Sequence, residues 1–293
     1  MPDPIAGTYD PDFSMKTDPE PSWTKRSDTT AWYDRFPWWG VILFLIWSTM
    51  LAKILFDDDY DLAWKRISPG VTLTIRSTIS AFGLATALGL ILGLGRTLQT
   101  DDRTNPLVRF IKISARNLCR TYIEFIRGIP ILPLIFTVAL VIIPPLSESV
   151  GLKNKIPSEW RAIIALALIY GAYIAEIIRA GVQSVDQGQV EAGRSLGLTR
   201  GATTRSIVLP QAIRNVIPPL GNDFIAILKD TSLLSVLGVL ELTQLTKQFA
   251  NSSFKFREGY LVLTFIYLSL TIVLSLLLQQ LEKYMTKDKT GAR

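Results

Sequence analysis

The 293-residue sequence has no histidine and a single cysteine, Cys119. Without histidine, neither a Ser-His nor a Cys-His catalytic arrangement can be assembled, and the usual general base near neutral pH is missing. One cysteine forms no intrachain disulfide, and the sequence offers no CxxC pair or clustered metal ligands. Cys119 therefore reads as packing or interface. Charge is also scarce: charged residues make up 19% of the chain, below the usual quarter, while 48% is apolar and the mean hydropathy is +0.29. That is too little charge to coat a soluble surface. No GxxxxGK[ST] stretch occurs either, so this chain does not itself cradle a nucleoside triphosphate in a P-loop.

What the chain has instead is long apolar runs. Trp38 to Phe56 contains one charge, Lys53, near its end, and its 19 residues suffice to span a bilayer. Val71 to Leu94 is a second span, charged only at Arg76, in which Gly83, Gly89, Gly93 and Gly95 are small enough for close helix approach. Leu118 to Ile143 carries Arg120, Glu124 and Arg127 early and then Pro130 and Pro133. It reads as a helix with an interfacial first part and a kink. Ala162 to Ile178 and Gly259 to Leu278 are two more spans. Ile213 to Leu240 mixes Pro218, Pro219, Asp223, Lys229 and Asp230 with an apolar run, and is expected as an interior span facing protein or water.

Six spans put both termini on one side. The segments 1–37, 96–120, 179–214 and 282–293 then hold 19 lysines and arginines, against 8 on the other side. By the positive-inside rule the termini are cytoplasmic. The net charge of +6 is thereby accounted for at the membrane surface, and no basic patch interleaved with aromatics points to nucleic acid. Residues 1–35, with five prolines, read as a disordered cytoplasmic tail; they have no apolar core of the kind a signal peptide carries.

Residues 186–210 are too polar for lipid. Glutamine, glutamate and alanine favour a short helix through Arg194, Gly197 supplies a positive-φ stop, and Thr199 caps a second helix. Here the sequence resembles the membrane subunits of bacterial ABC importers for polar amino acids, whose cytoplasmic EAA loop is matched by Glu191-Ala192, Gly197 and Leu209-Pro210. Three further blocks carry the likeness: YIEFIRGIP at 122–130, GAYIAEIIRAGVQSV at 171–185 and PPLGNDFIAILKDTSLLSV at 218–236. Gly193 departs from the pattern, standing where a second alanine is usual, which loosens the first coupling helix.

The resemblance implies an all-α integral membrane protein: the five-helix core of a type I ABC importer permease plus one extra N-terminal transmembrane helix. In that scheme 36–67 is the added helix and an outer loop, 68–285 the permease domain, and 286–293 a cytoplasmic tail. It implies a multi-pass subunit of the bacterial inner membrane with no cofactor of its own, ATP and magnesium being bound by partner ATPase subunits. A second permease, as a homodimer or a paralogous heterodimer, two ATPase subunits, an extracytoplasmic substrate-binding protein and membrane lipid are the implied partners. Glu191 would contact a basic residue of the ATPase.

Candidate pathway residues are Arg76, Tyr170, Tyr173, Asn222, Asp223, Lys229 and Asp230. Arg76 would attract a carboxylate or else snorkel to headgroups; Asp223 suits an ammonium; Lys229 with Asp230 suits a gate. Glu124 with Arg127, and Glu176 with Arg179, are spaced i, i+3 and expected as structural or gating pairs. A secondary amino acid transporter driven by an ion gradient is the alternative; it leaves the EAA-like loop unexplained.

Overall fold

A computed structural model describes residues 38–97, 105–149, 151 and 156–290, with side chains to 285. The tail expected over 1–35 and the last three residues lie outside the described residues. Among the described residues every regular element is helical. The chain divides into two units, 1–48 and 49–293. What is described of the first is the uncharged first half of helix α1 (Trp38–Phe56).

In the second unit, the last turn of α1 carries Lys53, whose ammonium lies over the Tyr60 ring. The segment expected as an outer loop is a helix, α2 (Asp58–Ile67). Its acids explain it: Asp57 caps the N-terminus, its Oδ1 accepting from Asp59 N at 3.0 Å, and Asp58, Asp59 and Asp61 in the first turn oppose the helix dipole. A turn at Ser68-Pro69 leads into α3 (Gly70–Arg96).

Helix α6 (Ser158–Gln183) is the centre of the bundle, buried on most of its surface. It and α3 approach closely because two glycines of α3 have no side chain to keep them apart. A Cβ on Gly89 would lie 2.5 Å from Ile174 Cγ2, and one on Gly93 2.9 Å from the Ala175 carbonyl oxygen. Gly95 packs against Cys119 in the same way, whereas Gly83, also expected at a contact, has nothing beside it.

The third span, expected as one kinked helix over 118–143, is two helices. α4 (Pro106–Arg127) stops at Gly128, and α5 (Ile131–Ser149) begins after Pro130. Pro130 is the cause: it lacks an N–H and biases Ile129 away from the helical region. Within α5, Thr137–Ile142 widens to π geometry just before Pro144-Pro145. Neither proline can donate to the turn above, and Ile143 N instead reaches back to Val138 O. The same device recurs before Pro210, where Thr204–Val208 is π-helical.

The interior span expected over 213–240 is shorter than its sequence suggests. Helix α9 (Leu209–Asp230) ends where Thr231 turns its hydroxyl onto Leu228 O; Thr231–Leu237 is a 3₁₀ turn closed by Gly238 at φ 73°. Helices α10 (Leu242–Ser253) and α11 (Phe256–Thr290) complete the chain. Among the described residues, five stretches are long and apolar enough to cross a membrane: 38–56, 58–96, 131–149, 158–183 and 256–285. α9 is not one of them, because Arg214, Asp223, Lys229 and Asp230 interrupt it.

Candidate functional site

Two sets of residues stand out, a polar hairpin at one end of α6 and a line of polar side chains along α6 and α9. The hairpin starts at Asp186, whose carboxylate accepts from Gly188 N at 2.6 Å and caps α7 (Gln187–Ser195). α7 stops in a pair of reversed hydrogen bonds, Gly197 N to Arg194 O at 3.0 Å and Leu198 N to Gly193 O at 3.2 Å. This Schellman closure needs a left-handed residue, supplied by Gly197 at φ 83°. Thr199 Oγ1 then accepts from Ala202 N at 3.3 Å and starts α8 (Arg200–Thr203). The helix, glycine stop and threonine cap expected over 186–210 are all present.

Gly193 does not loosen α7 as its sequence position suggests. It is buried, and Ile207 Cδ1 fills the space of the missing methyl, 2.5 Å from where a Cβ would stand. Two side-chain bonds brace the base of the hairpin: Gln211 to Gln189 Oε1 at 2.5 Å and Asn215 to Ser184 Oγ at 2.9 Å. Glu191, Ala192, Leu209 and Pro210 are exposed, and Leu196 at the tip is 85% exposed. The arrangement is a rigid polar knob with an apolar tip and an acid on its flank. Its backbone turns are closed by hydrogen bonds within the hairpin, and Glu191 and Leu196 lie on its surface.

Along α6 and α9, the Tyr170 hydroxyl donates to Asp230 Oδ2 at 2.8 Å, and the Tyr170 and Tyr173 rings lie 5.8 Å apart. The Arg127 guanidinium sits 5.7 Å from the centre of the Tyr173 ring. The structure thus brings together Tyr170, Tyr173, Asp230 and Arg127. Asp223 keeps one buried carboxylate oxygen without a hydrogen-bond partner. Asn222 and Lys229 are exposed, and Asp230 is held by Tyr170. Arg76 stands apart: its Nε lies 3.1 Å from Glu159 Oε1 in the first turn of α6, about 16 Å along that helix from Tyr170.

The pairs expected from i, i+3 spacing are half right. Glu176 holds Arg179, with Nε at 3.1 Å, but Glu124 does not hold Arg127. Arg127 is the last residue of α4 and turns to Tyr173, while the Glu124 carboxylate meets Arg96 of α3 at 3.5 Å. Arg96 also donates to Glu176 Oε2 at 2.6 Å, so Glu176 is the hub that ties α3 to α6. Sequence reasoning missed Arg96 and Glu159. The available signal was their depth: each sits at a helix end level with an opposite charge on another helix. A second missed group lies at the other end of the bundle. Buried Glu241 accepts from Thr243 N at 2.8 Å, Gln244 N at 2.9 Å and the Tyr267 hydroxyl at 3.1 Å, and Lys255 pairs with Asp59. Among the described residues no group of histidine, cysteine or acidic side chains is placed to hold a metal ion.

Comparison with known proteins fits this geometry. Residues 107–287 match the family model described as binding-protein-dependent transport system inner membrane component. The chain is 37% identical to the probable amino-acid permease protein YxeN of Bacillus subtilis strain 168, over 77% of this chain and 93% of that one. It is 35% identical to the glutamine transport system permease protein GlnP of Escherichia coli K12, over 76% and 97% respectively. Among solved structures, that of an amino acid ABC transporter with histidines superposes with a TM-score of 0.64 at 30% identity, covering 80% of this chain and 98% of the other. With a family model spanning most of the chain, relatives aligned over almost their full length and a shared helical fold, the protein belongs to the inner-membrane permease components of binding-protein-dependent ABC transport systems.

Proposed function

We propose that the chain forms half of the translocation pathway of an ATP-driven importer for polar or charged L-amino acids and takes its power stroke through the hairpin at 186–210. The observation that carries this is the braced hairpin itself, whose exposed Leu196 tip and Glu191 flank have no use inside the bundle. A rigid knob of this kind transmits the movement of a docked ATPase as a rigid body. The substrate class follows the relatives, whose names specify amino acids, glutamine and cystine. Within the bundle, the unpartnered oxygen of Asp223 suits a substrate ammonium, and the Tyr170–Asp230 bond suits a gate that opens by exchanging partners.

In this reading both termini and the hairpin are cytoplasmic, in keeping with the excess of lysine and arginine at that face. α9 is the interior span, and α2 and α10 face outward, toward a substrate-binding protein. A second permease completes the pathway, and two ATPase subunits dock on the two hairpins. The test is reconstitution with the partner subunits. Glu191→Arg is expected to insert normally but to lose ATPase association or coupling. Uptake by this polypeptide alone, with no ATPase present, overturns the reading in favour of ion-driven transport.

A further inference from the structure

Helices α2 and α10 pack side by side. Gly70, which starts α3, lets the chain after α2 touch the N-terminus of α10: a Cβ there would stand 2.9 Å from Leu242 N. At the far end of α10, Lys255 pairs with Asp59 of α2. Between the two helices runs a groove of about 460 Å³. Leu62 and Arg66, one turn apart, form one wall; Leu245, Gln248, Phe249 and Ser252, at intervals of three and four, form the other. Phe249 is buried, whereas Leu62, Arg66, Gln248 and Ser252 are exposed.

Three side chains of this groove and its rim have no use within the chain. Arg66 is exposed and, among the described residues, has neither hydrogen bond nor ion pair. The other cations of α2 and of the turn into α11 are all engaged: Lys65 with Asp61, Lys255 with Asp59, Arg257 with Glu258. Gln248 is likewise exposed and unengaged among the described residues. The third is Phe254, next in sequence to Ser253, which also lines the groove. Phe254 closes α10 at φ 59°, the one non-glycine residue at positive φ among the described residues, and is 83% exposed. Glycine is the usual residue at such a helix end, and a bulky side chain there strains the backbone. The turn is nonetheless held: Ser253 Oγ accepts from Lys255 N at 3.4 Å, and the Lys255–Asp59 pair fixes it to α2. Stability is given up to hold an aromatic residue outward, and no contact within the chain returns it.

We infer that the groove between α2 and α10, with Phe254 at its rim, is the seat of the substrate-binding protein, which sets a carboxylate against Arg66 and an apolar recess around Phe254. This rests on the outward orientation of α2 and α10 proposed above and on membership of a binding-protein-dependent family. Lipid does not cover Phe254: Lys255, Arg257 and Glu258 come between it and the uncharged run that starts at Gly259, so it stands outside the acyl layer. A protein arriving from the outer side meets an aromatic and an arginine in one patch, the residue types that dominate the energy of protein contacts. Arg66 is the one charged residue lining the groove, so the complementary group on the partner is an acid.

The experiment measures, at low and at physiological salt, the affinity of the binding protein encoded with this chain for the complete permease–ATPase complex in lipid nanodiscs. Arg66→Glu is expected to weaken binding at least about tenfold, most at low salt, and Arg66→Lys to keep most of it. Phe254→Gly is expected to weaken binding about tenfold while the complex unfolds at or above the wild-type temperature, because glycine relaxes the turn. Wild-type affinity in either Arg66→Glu or Phe254→Gly overturns the inference. So does a Phe254→Gly complex that binds normally but unfolds earlier in nanodiscs, which assigns the ring to the headgroup layer. Substrate uptake by the wild-type complex in vesicles reports separately on the transport function. Uptake that needs both ATP and the binding protein upholds that reading even where the variants overturn the docking site, and uptake without the ATPase removes both.

Discussion

Replacing Gly93 by alanine separates two effects of opposite sign. In an exposed helix interior the change is favourable by about 1 kcal/mol, because alanine loses less backbone freedom. At Gly93 the new methyl stands 2.9 Å from the Ala175 carbonyl oxygen and 3.1 Å from Ile178 Cβ and Cγ2. A carbonyl oxygen of a helix cannot swing aside as a side chain can. Restoring ordinary contact requires α3 and α6 to part by about half an ångström, and a gap of that size forfeits roughly a quarter of each contact along the seam. Overpacking costs about 1–3 kcal/mol, and a collision with backbone falls in the upper part of that range, so after the propensity gain a net loss of about 1–2 kcal/mol is expected. Gly83→Ala is the control, since nothing lies within 4 Å of its Cβ position. Thermal unfolding of the purified protein should show Gly83→Ala at or above wild type and Gly93→Ala lower by about 5 °C. If the two variants unfold together, backbone proximity is not what joins α3 to α6.

At Gly197, φ 83° makes any side chain with a Cβ costly, so Gly197→Val is expected to lose about 1–2 kcal/mol and to weaken ATPase coupling, with Gly197→Asn milder; equal coupling by both in a reconstituted complex speaks against the turn's importance. Glu176→Gln removes the hub between Arg96 and Arg179, partly buried groups, and should cost about 1–2 kcal/mol. Glu124→Gln, at the more exposed and longer 3.5 Å contact, should cost less than about 0.5 kcal/mol by the same unfolding assay, and the reverse order contradicts the assignment of Glu176 as hub. Burial raises the Glu241 carboxyl above the ordinary glutamate value, against hydrogen bonds from Thr243, Gln244 and Tyr267 that lower it. The folded protein therefore retains a proton that the unfolded chain releases, and stability falls as pH rises from the ordinary glutamate value through the raised one. Glu241→Gln should flatten that slope when unfolding is followed across pH, and an unchanged slope assigns it to other groups.

Much of the molecule is legible in its sequence, and for local reasons. Apolar length marks a span regardless of its neighbours, and so the run from Trp38 to Phe56 and the cores of α3, α6 and α11 were found within a few residues. The hairpin was equally readable because its parts are short-range: a left-handed glycine, a threonine cap and the bonds that close α7 lie within a few residues of one another. Where proline chemistry met an apolar run, the reading blurred. One kinked helix was expected over 118–143 where two stand, and the interior span ended ten residues early because Thr231 and the 3₁₀ turn fold the apolar run back.

Sequence by itself determined that the long apolar runs are helical, and the conformation of the turn at Gly197, since each depends on side chains within one or two helical turns. Only the tertiary structure decided the partners of the charges. Arg96 reaches Glu124 and Glu176, Arg76 meets Glu159, and Asp230 takes a tyrosine rather than the adjacent lysine, because contacts between helices depend on rotation and depth. Those two quantities are set by which glycines let which backbones touch, and no interval counted along one helix contains them.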